Sequence, residues 1–366
     1  MIYLDSAATS LLKPPSVARA TAMAVRTMAS PGRGGHSAAM RAADTVFACR
    51  EAAAELFHVP EPERVVFTMN ATHALNIAIH SLVSPGDPVV ISGYEHNSVT
   101  RPLHALGAQV RVAESPLFDP EAAVSAFRRA LPGAKAAVCT MVSNVFGYLL
   151  PVREIAELCA AAGVPLIVDA SQAAGCVAFD AAALGAAFVG MPGHKGLLGP
   201  QGTGILLCFA QPKPLLCGGT GSQSVLQDMP EELPDRLEAG THNVPGIAGL
   251  LAGIRYLSAQ GVEHIERRLT AQLRAQPRLE VFASPDPARQ TAVLSVRCRD
   301  MDSELLAQEL ARYGIAVRAG LHCAPVAHRT AGTLETGTVR LSLSPFNTDA
   351  EIARTARVFH EILRAG

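Results

Sequence analysis

Val164-Pro165-Leu166-Ile167-Val168-Asp169-Ala170-Ser171-Gln172, followed by Phe188-Val189-Gly190-Met191-Pro192-Gly193-His194-Lys195-Gly196, is the stretch whose reading decides the fold. Each half starts as a short apolar run and ends on a chemically useful side chain, an acid in the first and a lysine in the second. Short apolar runs bounded by turn residues read as buried strands. Lys195 stands among glycines, apolar residues and a histidine, with no polar periodicity that would make it part of a solvated face. Burial lowers the pKa of a lysine and leaves the amine free to condense with an aldehyde. Gly-His-Lys-Gly taken alone reads first as a surface loop, and it is the upstream acid that reverses the balance.

An acid at a strand end, with a buried lysine after the next strand, suits pyridoxal phosphate. That cofactor needs a carboxylate at its pyridine nitrogen, so that the protonated ring can accept electrons released at a substrate's α-carbon. Asp169 alone reads as well as a helix cap or turn former; Lys195 downstream favours the cofactor.

Working outward, β-rich runs alternate with alanine-rich helical stretches from about residue 60 to 210: Arg64–Thr68, Pro88–Ile91, Ala136–Thr140 and 164–169. The alternation predicts an α/β fold with a largely parallel sheet covered by helices. Ligands of such sheets bind beyond the carboxyl ends of the strands, where Thr68-Met69-Asn70, Asn144 and Asp169 fall. After Gly240 the pattern predicts helices near 245–259 and 262–275, then strands Ala292–Val296, Ile315–Arg318 and Val339–Leu343, a second and smaller α/β domain. Gly219–Asp235, rich in Gly, Ser, Pro and acids, reads as a long loop, and loops of that length are often functional.

The chain has 366 residues and is 49% hydrophobic, enough for a large core and two domains. Its net charge of −1 balances 31 basic against 32 acidic residues. No like-charge block marks a nucleic-acid footprint or a polybasic membrane patch. The start lacks a secretory n-region and h-region, and no apolar run reaches transmembrane length, so the expected location is the cytoplasm. The 8 cysteines include no Cys-x-x-Cys pair and no metal-ligand spacing. Cys49, Cys139, Cys159, Cys176, Cys208 and Cys298 sit in apolar patterns as small hydrophobes. Cys217 and Cys323 lie in loop-like sequence.

Several polar residues stand at the predicted binding edge. Asn70-Ala71-Thr72-His73 opens a helix with Leu75, Ile77, Ile79 and Leu82 on its apolar positions; its free N–H groups and dipole suit a phosphate, or Asn70 is a simple N-cap. His96 follows the strand at 88–91 and is placed to stack on a ring and move protons, or to do neither. Asn144 ends an apolar strand as a turn residue or a ligand donor. Cys323, in Arg318-Ala319-Gly320-Leu321-His322-Cys323-Ala324-Pro325, reads as an accessible thiol whose pKa Arg318 and His322 could lower, or as a small residue in a turn. Arg340, a charge in a strand pattern, either faces solvent or grips a substrate carboxylate bidentately.

Together these residues resemble the class V aminotransferase family of fold-type I pyridoxal-phosphate enzymes, and within it the cysteine desulfurases of the SufS/NifS-like group. The likeness runs from Tyr3-Leu4-Asp5-Ser6-Ala7-Ala8-Thr9 through Arg33-Gly34-Gly35-His36-Ser37, Asp169, Gln172, Gly193-His194-Lys195 and Glu238-Ala239-Gly240-Thr241 to Arg340 and Asn347-Thr348. Arg318-x-Gly320-x-His322-Cys323 points to desulfurases with a short catalytic loop. The resemblance implies a mostly parallel seven-stranded sheet, with residues 15–245 as the large cofactor-binding domain and 1–14 plus 246–366 as the small domain carrying Cys323.

It also implies roles. Lys195 would hold the cofactor aldehyde, Asp169 face the pyridine nitrogen, Gln172 reach the ring oxygen and His96 stack on the ring. Ala71, Thr72 and His194 would hold the phosphate with Thr241 of a second subunit, hence a homodimer with shared sites. Arg340 and Asn144 would bind the carboxylate of L-cysteine. Lys195 would move the α-proton and Cys323 would take the sulfur as a persulfide, leaving alanine, before a sulfur-acceptor protein collects it. Selenocysteine lysis, β-elimination, epimerisation and transamination are the other reactions that the cofactor allows, and a non-catalytic sulfur relay is a further alternative. The acceptor's pathway, whether iron–sulfur cluster assembly, nucleoside thiolation or selenium delivery, is not legible. Two positions depart from the family pattern. Pro192 lacks the hydroxyl that relatives offer the phosphate, which predicts weaker cofactor retention or compensation by nearby donors. His242 stands where proline is common.

Overall fold

The computed structural model describes residues 1–32, 34–260 and 267–365, with 258–260, 267, 268 and 365 by their backbone alone. Arg33 of the quoted motif and the start of the helix expected at 262–275 lie outside the described residues; the described part of that helix is Arg267–Arg274.

A sheet of 7 strands runs in the order Val65–Thr68, Gly204–Cys208, Phe188–Pro192, Leu166–Asp169, Ala136–Thr140, Pro88–Ser92, Gln109–Ala113. Gly204–Cys208 pairs antiparallel with both neighbours, and all other pairings are parallel. The remaining strands therefore share one direction, and Thr68, Ser92, Thr140, Asp169 and Pro192 end along one edge. Alternate residues of each strand pack on opposite faces, as the two-residue period of a strand requires. Val90, Ala137, Val168, Val189 and Leu207 belong to one apolar cluster; Val89, Ile91, Ala136, Val138, Ile167 and Leu206 belong to the other. Burying each Val, Leu or Ile completely contributes about 1.5–3 kcal/mol, so the central strands are apolar on both faces.

The helix Ala71–Leu82 covers the second face with Ala74, Leu75, Ile77, Ala78 and Ile79. Its start is fixed by Asn70, whose Oδ1 accepts from His73 N at 2.9 Å. The stretch Gly219–Asp235 forms no helix or strand, as its composition predicts.

A second, antiparallel sheet is ordered Arg318–Gly320, Thr338–Ser342, Val293–Cys298, Leu279–Phe282. Its apolar cluster also recruits Ile2 and Leu4 from the start of the chain. The single strand expected at Ile315–Arg318 is a correction. Ile315–Ala316 pairs in parallel with Ile2–Tyr3, and Arg318–Gly320 joins the four-stranded sheet instead. The chain changes partners at Val317, which places Arg318 beside Arg340 in register. No helix among the described residues is long and apolar enough to cross a membrane.

Candidate active site

At the carboxyl edge of the large sheet lies an open cleft. Asn70, Ala71, Thr72, His96, Asn144, Asp169, Gln172, Pro192, His194 and Lys195 line it. Residues separated by more than a hundred positions meet because consecutive parallel strands deliver their ends to one edge.

Asp169 is 2% exposed, and its Oδ1 accepts from Ser171 N at 2.9 Å. The loop after it and the loop carrying Lys195 approach so closely that only glycines fit. Gly175 has φ +77°, and a Cβ there would lie 2.2 Å from Gly196 O; one on Gly196 would lie 2.3 Å from Ala174 O. Lys195 follows from this contact. Lys195 is half-buried as a residue, and its amine has no hydrogen-bond or ion-pair partner among the described residues. Burial pushes its pKa down to about 8 against the pull of Asp169, with Arg340 and Arg318 adding to the lowering.

His96 caps the helix Asn97–Ala105: its Nδ1 accepts from Ser98 N at 3.0 Å. The accepting lone pair places the neutral ring's proton on Nε2. Burial, opposed by Asp169 and reinforced by Lys195, lowers its pKa to about 4. His194 Nδ1 lies 3.0 Å from Thr9 Oγ1, and burial with the charges of Lys195 and Lys13 takes it to about 4 as well. Gln172 is buried and spends one amide N–H on Ala7 O at 3.0 Å. Because Asn70 already satisfies His73 N, the first-turn N–H groups of Ala71 and Thr72 remain for an anion. Pro192 lines the same cleft and offers no donor.

Cys323 is exposed, and its loop is bolted to the cleft. Asn97 N donates to Cys323 O at 2.8 Å, next to His96, and Asn144 Nδ2 donates to His322 O at 2.8 Å. His322 and Cys323 have φ of +49° and +56°. Adjacent left-handed non-glycine residues cost about 1–3 kcal/mol each and persist where the surroundings over-determine them. The charged role expected of His322 beside Cys323 is a correction. His322 is buried with Nε2 3.2 Å from Thr338 O, and burial, with Arg340 and His328, pushes its pKa down to about 2. It carries no charge near neutrality and acts on the loop by shape.

Arg340 does not face solvent: it is 2% exposed, with Nη1 donating to Asn144 O at 3.1 Å. Thr241 is exposed and lines a second cavity with Met69 and His73, which flank the Ala71–Thr72 turn. His242 Nε2 lies 3.2 Å from Glu238 Oε2, a buried carboxylate that also pairs with Arg50. Cys176 is half-buried in a turn beside Gly196 rather than inside a helix or strand.

One buried group escapes the sequence reading. Glu95, next to His96, is fully buried; its Oε1 accepts from Ser92 Oγ at 2.5 Å and Thr140 N at 2.6 Å, and its Oε2 has no partner. Burial raises its pKa to about 8, and Asp169 adds to the rise. The available signal is an acid four residues past the apolar run Val89–Ile91.

A mixed, mostly parallel sheet brings a helix start with free first-turn N–H groups, a buried acid and a lysine without a partner among the described residues to one edge, the kind of grouping that an enzyme's active site requires. A sequence profile of the class-V aminotransferases matches residues 2–355, and the chain belongs to that family. It is 34% identical to a probable cysteine desulfurase of Methanothermobacter thermautotrophicus, over all of this chain and 95% of the relative. Among solved structures it is similar to the apo cysteine desulfurase of Thermococcus onnurineus NA1, with TM-score 0.87 and 28% identity over 100% and 95% of the two chains. It is also similar to the cysteine desulfurase CsdA of Escherichia coli in its S-sulfonic acid form, with TM-score 0.86 and 28% identity over 99% and 94%.

Proposed function

We propose that this protein is a pyridoxal-phosphate-dependent cysteine desulfurase that converts L-cysteine to L-alanine and takes the sulfur onto Cys323. The observation that carries the reading is the anchoring of an exposed cysteine, through its own carbonyl, to the amide next to His96, at a cleft that holds Lys195 and Asp169. The donor set fits the cofactor. The first-turn N–H groups with Thr72 and His194 suit a phosphate, Asp169 suits a ring nitrogen, the second N–H of Gln172 suits a ring oxygen, and the free amine of Lys195 suits an aldehyde. When bound, pyridoxal phosphate supplies that aldehyde and a ring that accepts the electron pair from the substrate's α-carbon.

The protein's own residues supply the rest. Arg340 and Asn144 orient the substrate carboxylate. Lys195, with its pKa near 8, takes the α-proton and returns it. His96, held as the Nε2–H tautomer, is poised to give a proton and regain it. The Cys323 thiolate attacks the substrate sulfur: an S–S bond forms, the substrate Cβ–S bond breaks, and the electron pair stays on the carbon side. Cβ then gains a proton to become the methyl of alanine. The exposed persulfide passes to a sulfur-acceptor protein or a small thiol. In this reading the protein is a cytoplasmic homodimer, Thr241 completes the partner's phosphate site, and residues 15–245 form the cofactor-binding domain against 1–14 plus 246–366. The 8 free thiols suit a reducing compartment.

The test is to incubate the cofactor-loaded protein with L-cysteine and a thiol reductant, measuring alanine and sulfide. Equal amounts of both are expected, with neither formed by Lys195→Ala; a wild-type protein that forms no alanine overturns the reading.

A further inference from the structure

The opening motif Tyr3–Thr9 contains a carboxylate to which the proposed chemistry gives no role. Asp5 lies between two arginines, with Oδ1 2.8 Å from Arg340 Nη2 and Oδ2 3.2 Å from Arg318 Nε. Arg340 is buried and Arg318 is about half exposed. Arg340 spends Nη1 on the Asn144 carbonyl, while its buried Nε has no partner. In a guanidinium the Nε–H and the neighbouring Nη2–H point the same way, and this edge takes a carboxylate in a bidentate pair. Asp5 is thus bonded to Nη2, one of the two nitrogens of the edge still available to a ligand, and the other nitrogen, Nε, has no partner. A substrate carboxylate that uses this fork meets Asp5 at Nη2.

We propose that Asp5 is a built-in competitor that sets the affinity of Arg340 for the substrate carboxylate, withdrawing toward Arg318 when the substrate arrives. A buried guanidinium without a counter-ion is costly, so a resident carboxylate stabilises Arg340 between turnovers. Arg318 gives that carboxylate a place to go, because it already holds the other oxygen. Together Asp5, Arg318 and Arg340 carry one net positive charge, which matches a single anionic group. The ligand's name rests on the functional reading above; the competition rests on the geometry of Asp5 and Arg340.

The test compares KM and kcat for L-cysteine in the cofactor-loaded wild type, Asp5→Asn and Arg318→Gln. Asp5→Asn keeps the shape and removes the competing charge, so KM falls by about tenfold or more, the scale of one net hydrogen bond to a charged group, with kcat little changed. Arg318→Gln removes the resting place of Asp5 and holds it on Arg340, so KM rises by a similar factor. A KM that is unchanged or raised in Asp5→Asn overturns the proposal and leaves Asp5 a structural counter-ion. If Asp5→Asn does not fold, the half-exposed Arg318→Gln decides, and a KM that is unchanged or lower there overturns it. If the wild type forms no alanine, the functional reading fails separately. Calorimetric binding of propionate then decides the competition: tighter binding to Asp5→Asn than to wild type supports it, and equal or weaker binding refutes it.

Discussion

Glu95→Gln tests whether the floor beneath His96 carries a neutral acid. Glutamine is the shape of a protonated glutamate, and its Oε1 can accept from Ser92 Oγ and Thr140 N as Glu95 does. Burial raises the Glu95 pKa from 4.5 to about 8. Because the folded pKa lies above the unfolded one, the folded state binds more protons between these values, and stability through this group falls as pH rises across that window. Each pH unit within it costs about 1.4 kcal/mol. From pH 6.5 to 9 the loss through Glu95 is about 2 kcal/mol, nearly all of it below pH 8, where the folded acid begins to ionise too. The assay is urea denaturation of wild type and Glu95→Gln at both pH values. The variant gains about 2 kcal/mol on the wild type between them, since other titrating groups cancel in the difference. A difference that does not change with pH refutes the buried neutral acid.

Three further outcomes are expected. Pro192→Ser restores a hydroxyl at the cleft wall and tightens the cofactor by about threefold or more, the worth of one net hydrogen bond; a dissociation constant unchanged in equilibrium dialysis removes Pro192 from any role in retention. The cofactor-free protein captures pyridoxal phosphate on Lys195 at a rate that climbs with pH and levels near pH 8, because the amine is lowered from 10.5 to about 8; a rate still climbing at pH 10 in stopped-flow absorbance contradicts that environment. Gly175→Ala, at φ +77° and with its Cβ 2.2 Å from Gly196 O, destabilises the fold and loosens the Lys195 loop. The loss exceeds about 1 kcal/mol in thermal or urea unfolding, and wild-type stability refutes the close approach.

The central strands were legible because burial on both faces leaves them continuously apolar, as in Ala136–Thr140 and Phe188–Met191. The edge strand Gln109–Ala113 is not legible: three of its residues are exposed, and its polar side chains dilute the apolar signal. Gly204–Cys208 is also hidden, although fully buried, because it merges with the glycine-rich run after Lys195. Lys195, Asp169 and Asn70 could be read from local context, since each ends or follows a strand. Asp5, Glu95 and the neutrality of His322 could not, because their meaning lies in partners far away in sequence: Arg340 for Asp5, Thr140 for Glu95 and Thr338 for His322.

The central claim is that sulfur from cysteine is received by Cys323 at the mouth of this cleft. The direct measurement is the mass of the protein after brief exposure to L-cysteine without reductant, followed by alkylation and peptide mapping. The account predicts one added sulfur atom on the peptide holding Cys323 and none in Cys323→Ala, which still binds the cofactor on Lys195 and takes up L-cysteine. Sulfur found on Cys217 or Cys176 instead, or alanine and sulfide released by Cys323→Ala at the wild-type rate, contradicts it.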